Sequence, residues 1–158
     1  MRACIQRVLR ARVLLPDEDN RVAGEIGQGF LVLLGVGQND TPDQARLLAK
    51  KTGNLRVFED GQGKMNRNLE QIQGKVLVVS QFTLYADCAH GNRPGFSEAA
   101  PPEKAIQLYE CFVQELKTMK IPVETGVFRA NMYVELVNDG PVTLWFDTDI
   151  LTKPRKKN

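Results

Sequence analysis

The chain has 158 residues, near the usual length of one compact domain, and its 42% hydrophobic and 25% charged residues are ordinary for a globular protein, which excludes disordered and collagen-like chains. Lysine and arginine number 21 against 19 acids, a formal charge of +2, but Arg2, Arg7, Arg10 and Arg12 precede the first acid, Lys153, Arg155, Lys156 and Lys157 close the chain, and the stretch between them carries a net −6. The longest apolar run, Phe30 to Val36, falls far short of the roughly 20 residues a membrane-spanning helix needs, and the opening residues lack the apolar centre of a secretion signal, so a cytoplasmic protein with no membrane partner is expected.

The first strand signal runs from Ile5 through Val13, as one strand or two, and Pro16 to Asn20 is a turn cluster leading into RVAGEIG, an antiparallel start. Phe30 to Val36 is a continuous apolar run flanked by glycines, which fits a strand buried on both faces. Thr41 then supplies a helix cap, Pro42 the first helical position and Gln44 the return contact. These predict a helix to about Thr52, with Ala45, Leu48 and Ala49 as its apolar stripe and Gly53 at its C-terminal cap. Leu55 to Phe58 reads as a strand, Glu59 to Gly63 as a tight turn, and Lys75 to Tyr85 as a strong strand. Pro101-Pro102-Glu103 opens a second helix whose stripe (Ala105, Ile106, Tyr109, Phe112, Val113, Leu116) continues until Ile121-Pro122 stops it. Val123 to Phe128, Tyr133 to Val137 and Val142 to Phe146 are three further strands. Strands outnumber helices, and the fold class is α+β: one domain over residues 1–150, with mixed or antiparallel sheet and two main helices, followed by a basic tail at 151–158. The basic ends permit a local contact with a nucleic-acid backbone, although a solubilising tail is the simpler reading of the last six residues.

Three cysteines, Cys4, Cys88 and Cys111, form no CxxC pair and cannot close a disulfide set, so reduced thiols are expected. His90 is the single histidine, which rules out a multi-histidine metal site. Its neighbourhood, CAHGNRPG, has the composition of an exposed loop, which argues against a catalytic or ligating role for it. No Walker loop, dinucleotide fingerprint, zincin helix or G-x-S-x-G elbow is present. What remains are polar residues at strand ends: Ser80-Gln81-Phe82-Thr83 after the apolar VLVV, and Asn138-Asp139-Gly140-Pro141-Val142-Thr143 between two strands. An unpaired buried hydroxyl or amide costs about 1 to 3 kcal/mol, so either the sheet edge and solvent satisfy the first group or it lines a site. The second is first of all a turn, and local chemistry leaves the isomer of its Gly-Pro bond open.

Together these two segments resemble the paired signature motifs of the D-aminoacyl-tRNA deacylase family, SQFTLYG and NxGPVT, and the likeness extends through MRACIQRV, GEIGQGFLVLLGV, GNRPGF and FRANMYVELVNDGPVT to about Ile150. The one departure is Ala86, where the motif has glycine. The resemblance implies a homodimer, free of cofactor and metal, with active sites at the subunit interface. Its substrate would be aminoacyl-tRNA, and it would hydrolyse the ester joining a D-amino acid, or glycine, to the 3′-terminal adenosine. It further implies that Ser80, Gln81, Phe82 and Thr83 form the catalytic segment. Gly140 and Pro141, joined by a cis bond, would enter the partner's pocket, Arg7 would hold that dipeptide, and Phe128 and Met132 would lie near the adenosine.

With no histidine in these motifs, a protease-like triad is disfavoured, and Thr83 has no evident base. The expected chemistry is therefore polarisation of the ester carbonyl by the amides of Phe82 and Thr83, with the ribose 2′-hydroxyl orienting water. Phosphate contacts are expected from among Arg2, Arg7, Arg10, Arg12 and the tail. Two other functions compete: a general esterase or amidase using Ser80 or Thr83 with His90 as base, and a non-enzymatic RNA-binding dimer resting on the basic ends.

Overall fold

A computed structural model describes residues 1–152, and the expected basic tail lies almost wholly outside them. The chain begins with one long strand, β1 (Arg2–Leu15), a short turn, then β2 (Arg21–Ile26) and β3 (Gly29–Gly35). Helix α1 (Pro42–Gly53) starts where the sequence places it. The Thr41 hydroxyl accepts from the Gln44 amide, the Gln44 side chain accepts from the Thr41 amide, and Pro42 opens the first turn. A small ribbon follows, β4 (Phe58–Glu59) and β5 (Met65–Arg67), then β6 (Lys75–Ser80), α2 (Pro102–Thr118), β7 (Val123–Thr125), β8 (Tyr133–Asp147) and a last turn of helix, α3 (Thr148–Leu151).

β1 organises the main sheet because both its edges are used. One edge takes β2 and β3 in succession, with Ala11 opposite Ile26 and Val8 opposite Gly29. The other takes β8 antiparallel, from Arg2 opposite Asp147 to Leu14 opposite Tyr133. β6 adds parallel to β3, and β7 parallel to β6. Parallel neighbours need crossovers, and α1 and α2 lie in these two, so the sheet is mixed. It curls into a nearly closed barrel: a Cβ added to Gly24 of β2 would lie 2.6 Å from the Thr125 carbonyl oxygen of β7.

Two apolar cores result. The larger lies between the sheet and the two main helices and contains Phe30, Val32, Val76, Val78, Leu48, Phe112 and Leu116. The smaller fills the barrel with Val8, Ala11, Val13, Leu31, Leu77 and Val79. β3 and β6 feed both, which is why their sequences are apolar without alternation. Each such side chain taken fully out of water contributes about 1.5–3 kcal/mol.

Five expected features differ. The strand expected to reach Tyr85 stops at Ser80, and Phe82–Tyr85 is a 3-10 turn folded over the end of β3. Gly37 makes room for it, since a Cβ there would sit 2.8 Å from the Tyr85 ring. Of the strand expected at Leu55 to Phe58 only Phe58 is paired, because the Val57 carbonyl is taken by the Arg7 guanidinium. The strand from Val123 ends at Thr125, and Arg129 sits in a turn with φ +66°. The two strands expected on either side of Asn-Asp-Gly-Pro are one, β8, with that segment bulging from it. Gly53 belongs to the last turn of α1, not to a cap. It is buried where a Cβ would press on Ile121 and Met119 at 2.7 Å, so close packing explains it.

Candidate active site

β6 delivers Ser80 half-buried at its end, and the chain then turns. The Gln81 amide still donates to the Leu34 carbonyl of β3 at 2.8 Å. The 3-10 turn closes with Leu84 N–H on the Gln81 carbonyl (3.2 Å) and Ala86 N–H on the Thr83 carbonyl (3.0 Å). The amides of Phe82 and Thr83, at the start of the turn, meet no backbone acceptor among the described residues. The exposed Thr83 hydroxyl accepts a hydrogen bond from the Gln81 side-chain amide. Ala86 has φ −64° and ψ 128°, comfortable for any L-residue, so the departure from glycine at this position carries no backbone penalty.

The turn is anchored from behind. The Arg2 guanidinium donates to the Leu84 carbonyl at 3.0 Å, pairs with the Asp147 carboxylate at 3.3 Å and lies 4.3 Å over the Tyr85 ring. The Tyr85 hydroxyl donates to the buried Asp40 carboxylate at 3.1 Å, and Asp40 also accepts from the Gly37 amide and the Met1 ammonium, each at 2.6 Å. Burial first, and then the Asp40 charge, push the Tyr85 phenol far above its ordinary range, so it acts as a donor at any working pH.

The turn forms one wall of a cleft of about 590 Å³. Ser80, Gln81 and Phe82 line that wall, and Phe128, Arg129 and Met132 line the cleft from the segment that precedes β8. Phe82, 57% exposed, meets Phe96 edge-to-face at 5.0 Å. Phe128 leans on Tyr109, 6.0 Å between centroids, and the Tyr109 hydroxyl is fixed by donation to the Val78 carbonyl at 2.9 Å. The cleft thus assembles Ser80, Gln81, Phe82, Phe128 and Met132 from the sequence reading. It adds Phe96, Tyr109 and Arg129, which that reading did not assign to the site. Tyr109 is indistinguishable in sequence from the rest of its helical stripe, and Phe96 follows a turn-rich loop. Thr83 adjoins the wall without its side chain lining it, and His90 is exposed in the loop beyond, away from the cleft lining.

Arg7, Gly140 and Pro141 lie elsewhere. Gln6 of β1 is opposite Thr143 and Val8 is opposite Asn138, so Asp139 to Val142 bulge out across from Arg7 alone. Arg7 is buried, 4% exposed, and donates to the Asp139 carbonyl (3.0 Å) and the Val57 carbonyl (2.6 Å), with the Asp139 carboxylate at 3.3 Å. Asn138 ties the base of the bulge, its oxygen accepting from the Val142 amide at 2.9 Å and its nitrogen donating to the Thr143 hydroxyl at 3.0 Å. Gly140 has φ +132°, where a side chain is strained, and a Cβ would stand 2.8 Å from Val142 Cγ2 and 3.2 Å from Arg7. The Gly140-Pro141 peptide is cis, and both residues are exposed. A second, polar cavity of about 510 Å³ is lined in part by Arg7 and Asp139.

Three of the four N-terminal arginines from among which phosphate contacts are expected are engaged within the chain. Arg7 is buried, Arg2 is engaged by Asp147 and Leu84, and Arg12 pairs with Glu135 at 2.6 Å. Of the four only Arg10 is exposed and free of an ion pair among the described residues.

A strongly curled mixed sheet carries a polar turn at the mouth of an aromatic cleft, and comparison with known proteins names the class. The family model described as D-Tyr-tRNA(Tyr) deacylase matches residues 4–147. A D-aminoacyl-tRNA deacylase of Roseiflexus sp. (strain RS-1) is 54% identical over 158 residues, covering 100% of both chains. Among solved structures, one described as c-Myc DNA unwinding element binding protein superposes with a TM-score of 0.84 at 38% identity, covering 93% of this chain and 98% of its own. A probable eukaryotic D-amino acid tRNA deacylase gives 0.77 at 16% identity over 92% and 97%, a likeness of fold. The chain belongs to the D-Tyr-tRNA(Tyr) deacylase family. It is an enzyme, a hydrolase with D-aminoacyl-tRNA deacylase activity in translation proofreading. No helix among the described residues is long and apolar enough to cross a membrane.

Proposed function

We propose that the enzyme hydrolyses the ester between a D-amino acid, or glycine, and the 3′-terminal adenosine of tRNA, as a cytoplasmic homodimer in which Gly140-Pro141 of each protomer closes the cleft of the other. Residues 1–150 are the working domain in this reading and 151–158 a basic tail, of which 153–158 lie outside the described residues. The observation that carries the reading is the Gly140-Pro141 pair itself, exposed yet clamped from below by buried Arg7 and by Asn138, and absent from the lining of its own chain's cleft. A dipeptide held so firmly at the surface is suited to meeting a second body.

The chemical task is to accept a D-α-carbon and reject its mirror image, which differs only in where hydrogen and side chain point. A yielding apolar pocket separates substrates that differ by one methylene by about 1–3 kcal/mol, so strong rejection requires a wall that does not move. Main-chain atoms have no rotamers through which to yield, and Gly140, lacking a Cβ, lets that wall approach the α-carbon closely. A glycine ester has no side chain to clash, and it passes.

For hydrolysis, the Thr83 hydroxyl accepts from Gln81 and meets no base among the described residues to take its proton. The open amides of Phe82 and Thr83 instead polarise the ester carbonyl, and the 2′-hydroxyl of the terminal ribose orients the attacking water. The test is single-turnover deacylation of D-tyrosyl-tRNA and L-tyrosyl-tRNA by the wild type and by Thr83→Ala. The D-ester should be lost quickly and the L-ester retained, with Thr83→Ala near the wild-type rate. Complete loss of activity in a folded Thr83→Ala protein would overturn this chemistry and favour a threonine nucleophile instead.

A further inference from the structure

The cleft is almost uncharged. Among the described residues that line it, aromatic, aliphatic and amide side chains predominate, and Arg129 is the single charged one. Arg129 is exposed and has no carboxylate within ion-pairing distance among the described residues, in contrast to Arg2, Arg7, Arg12, Arg21 and Arg46, each of which is paired. Its backbone is also unusual: φ is +66°, the left-handed region in which glycine or asparagine would be less strained than a long side chain. The turn is closed by the Ala130 amide on the Val127 carbonyl, which holds Arg129 between Phe128 and Met132 on the same wall. A strained backbone carrying an unpaired guanidinium into an otherwise neutral cleft suits an anionic ligand.

We infer that Arg129 binds the phosphate on the 5′ side of the terminal nucleotide of the substrate. The inference rests on the reading of this cleft as the site for the aminoacylated 3′ end. Near that end the amino acid contributes a cationic or neutral amine and the adenosine is neutral. The anion nearest the ester is the phosphate one ribose away, and a planar guanidinium meets its oxygens with paired donors. The base and the aminoacyl group occupy the apolar walls, and the single cation takes the single nearby charge. Of the N-terminal arginines, Arg2, Arg7 and Arg12 are paired with carboxylates of this chain, and Arg10, unpaired among the described residues, does not line the cleft.

The experiment compares two minimal substrates, 3′-O-D-tyrosyl-adenosine and the same ester carrying a 5′-phosphate, under single-turnover conditions with wild type, Arg129→Gln and Arg129→Lys. The wild type should favour the phosphorylated ester by roughly three- to tenfold in kcat/KM. Arg129→Gln should abolish that preference, lowering kcat/KM for the phosphorylated ester roughly three- to tenfold more than for the unphosphorylated one, and Arg129→Lys should restore part of it. With full-length D-tyrosyl-tRNA, Arg129→Gln should flatten the slope of log kcat/KM against log salt by about 0.7, the value of one phosphate contact on a single strand. An undiminished phosphate preference or an unchanged salt slope in Arg129→Gln overturns the inference while leaving the deacylase reading intact. Failure of the wild type on both minimal esters and on D-tyrosyl-tRNA overturns the reading of the cleft, and the inference with it.

Discussion

Replacing Arg7 with methionine keeps an unbranched stem of similar length in its slot and deletes only the guanidinium. Two carbonyl oxygens then lose their donor, Asp139 at 3.0 Å and Val57 at 2.6 Å, along with the Asp139 carboxylate at 3.3 Å. The carboxylate is 32% exposed and recovers much of its loss from water, so the cost falls mainly on the carbonyls. Each buried acceptor left unmade costs about 1–3 kcal/mol, and the polar cavity that Arg7 and Asp139 share admits some water, which favours the lower half of that range. A total near 2–4 kcal/mol is expected, which for a domain of this size lowers Tm by roughly 5–15 °C. Functionally, the bulge carrying Gly140-Pro141 loses its clamp while the cleft is untouched, so the ratio of D- to L-tyrosyl-tRNA deacylation should collapse more than the capacity to hydrolyse an ester. Urea denaturation supplies the first number and single-turnover deacylation of both enantiomers the second. A loss below about 0.5 kcal/mol together with an unchanged D-to-L ratio would refute both the clamp and the role assigned to the pair it holds.

Gly140→Ala adds a Cβ 2.8 Å from Val142 Cγ2 at a backbone φ of +132°, so the bulge must shift; D-tyrosyl-tRNA deacylation should fall by on the order of tenfold or more in a protein whose circular dichroism is unchanged. His90→Ala should leave kcat/KM as it was, since His90 is exposed and absent from the cleft lining, whereas an esterase with His90 as base would lose its activity.

Much of the site was legible because its motifs are short and local. Ser80 to Phe82 do line a cleft, and Asn138 to Thr143 do form a special backbone segment whose every polar residue is used. What these motifs do not contain is their surroundings. The strand reading of Lys75 to Tyr85 was reasonable from its β-branched and aromatic residues, yet the 3-10 turn won because the Gly37 gap, Asp40 and Arg2 all capture Tyr85 from distant parts of the chain. Likewise Arg2, Arg7 and Arg12 look like a free basic patch in sequence and are each paired with a carboxylate of the same chain in the fold, while Arg129, unremarked in sequence, is the charged residue at the cleft.

By itself the amino-acid sequence determined the two main helices with the N-terminal cap of α1, the doubly buried strand at Phe30 to Val36 and the family. These rest on residues within a few positions of one another, where backbone preference and periodicity act directly. Only the tertiary structure decided where β6 ends, that β8 is a single bulged strand, and which guanidiniums remain available to a ligand. Those outcomes depend on which acceptor a donor meets across separations such as the 132 positions between Arg7 and Asp139, a choice made by chain packing that no local pattern encodes.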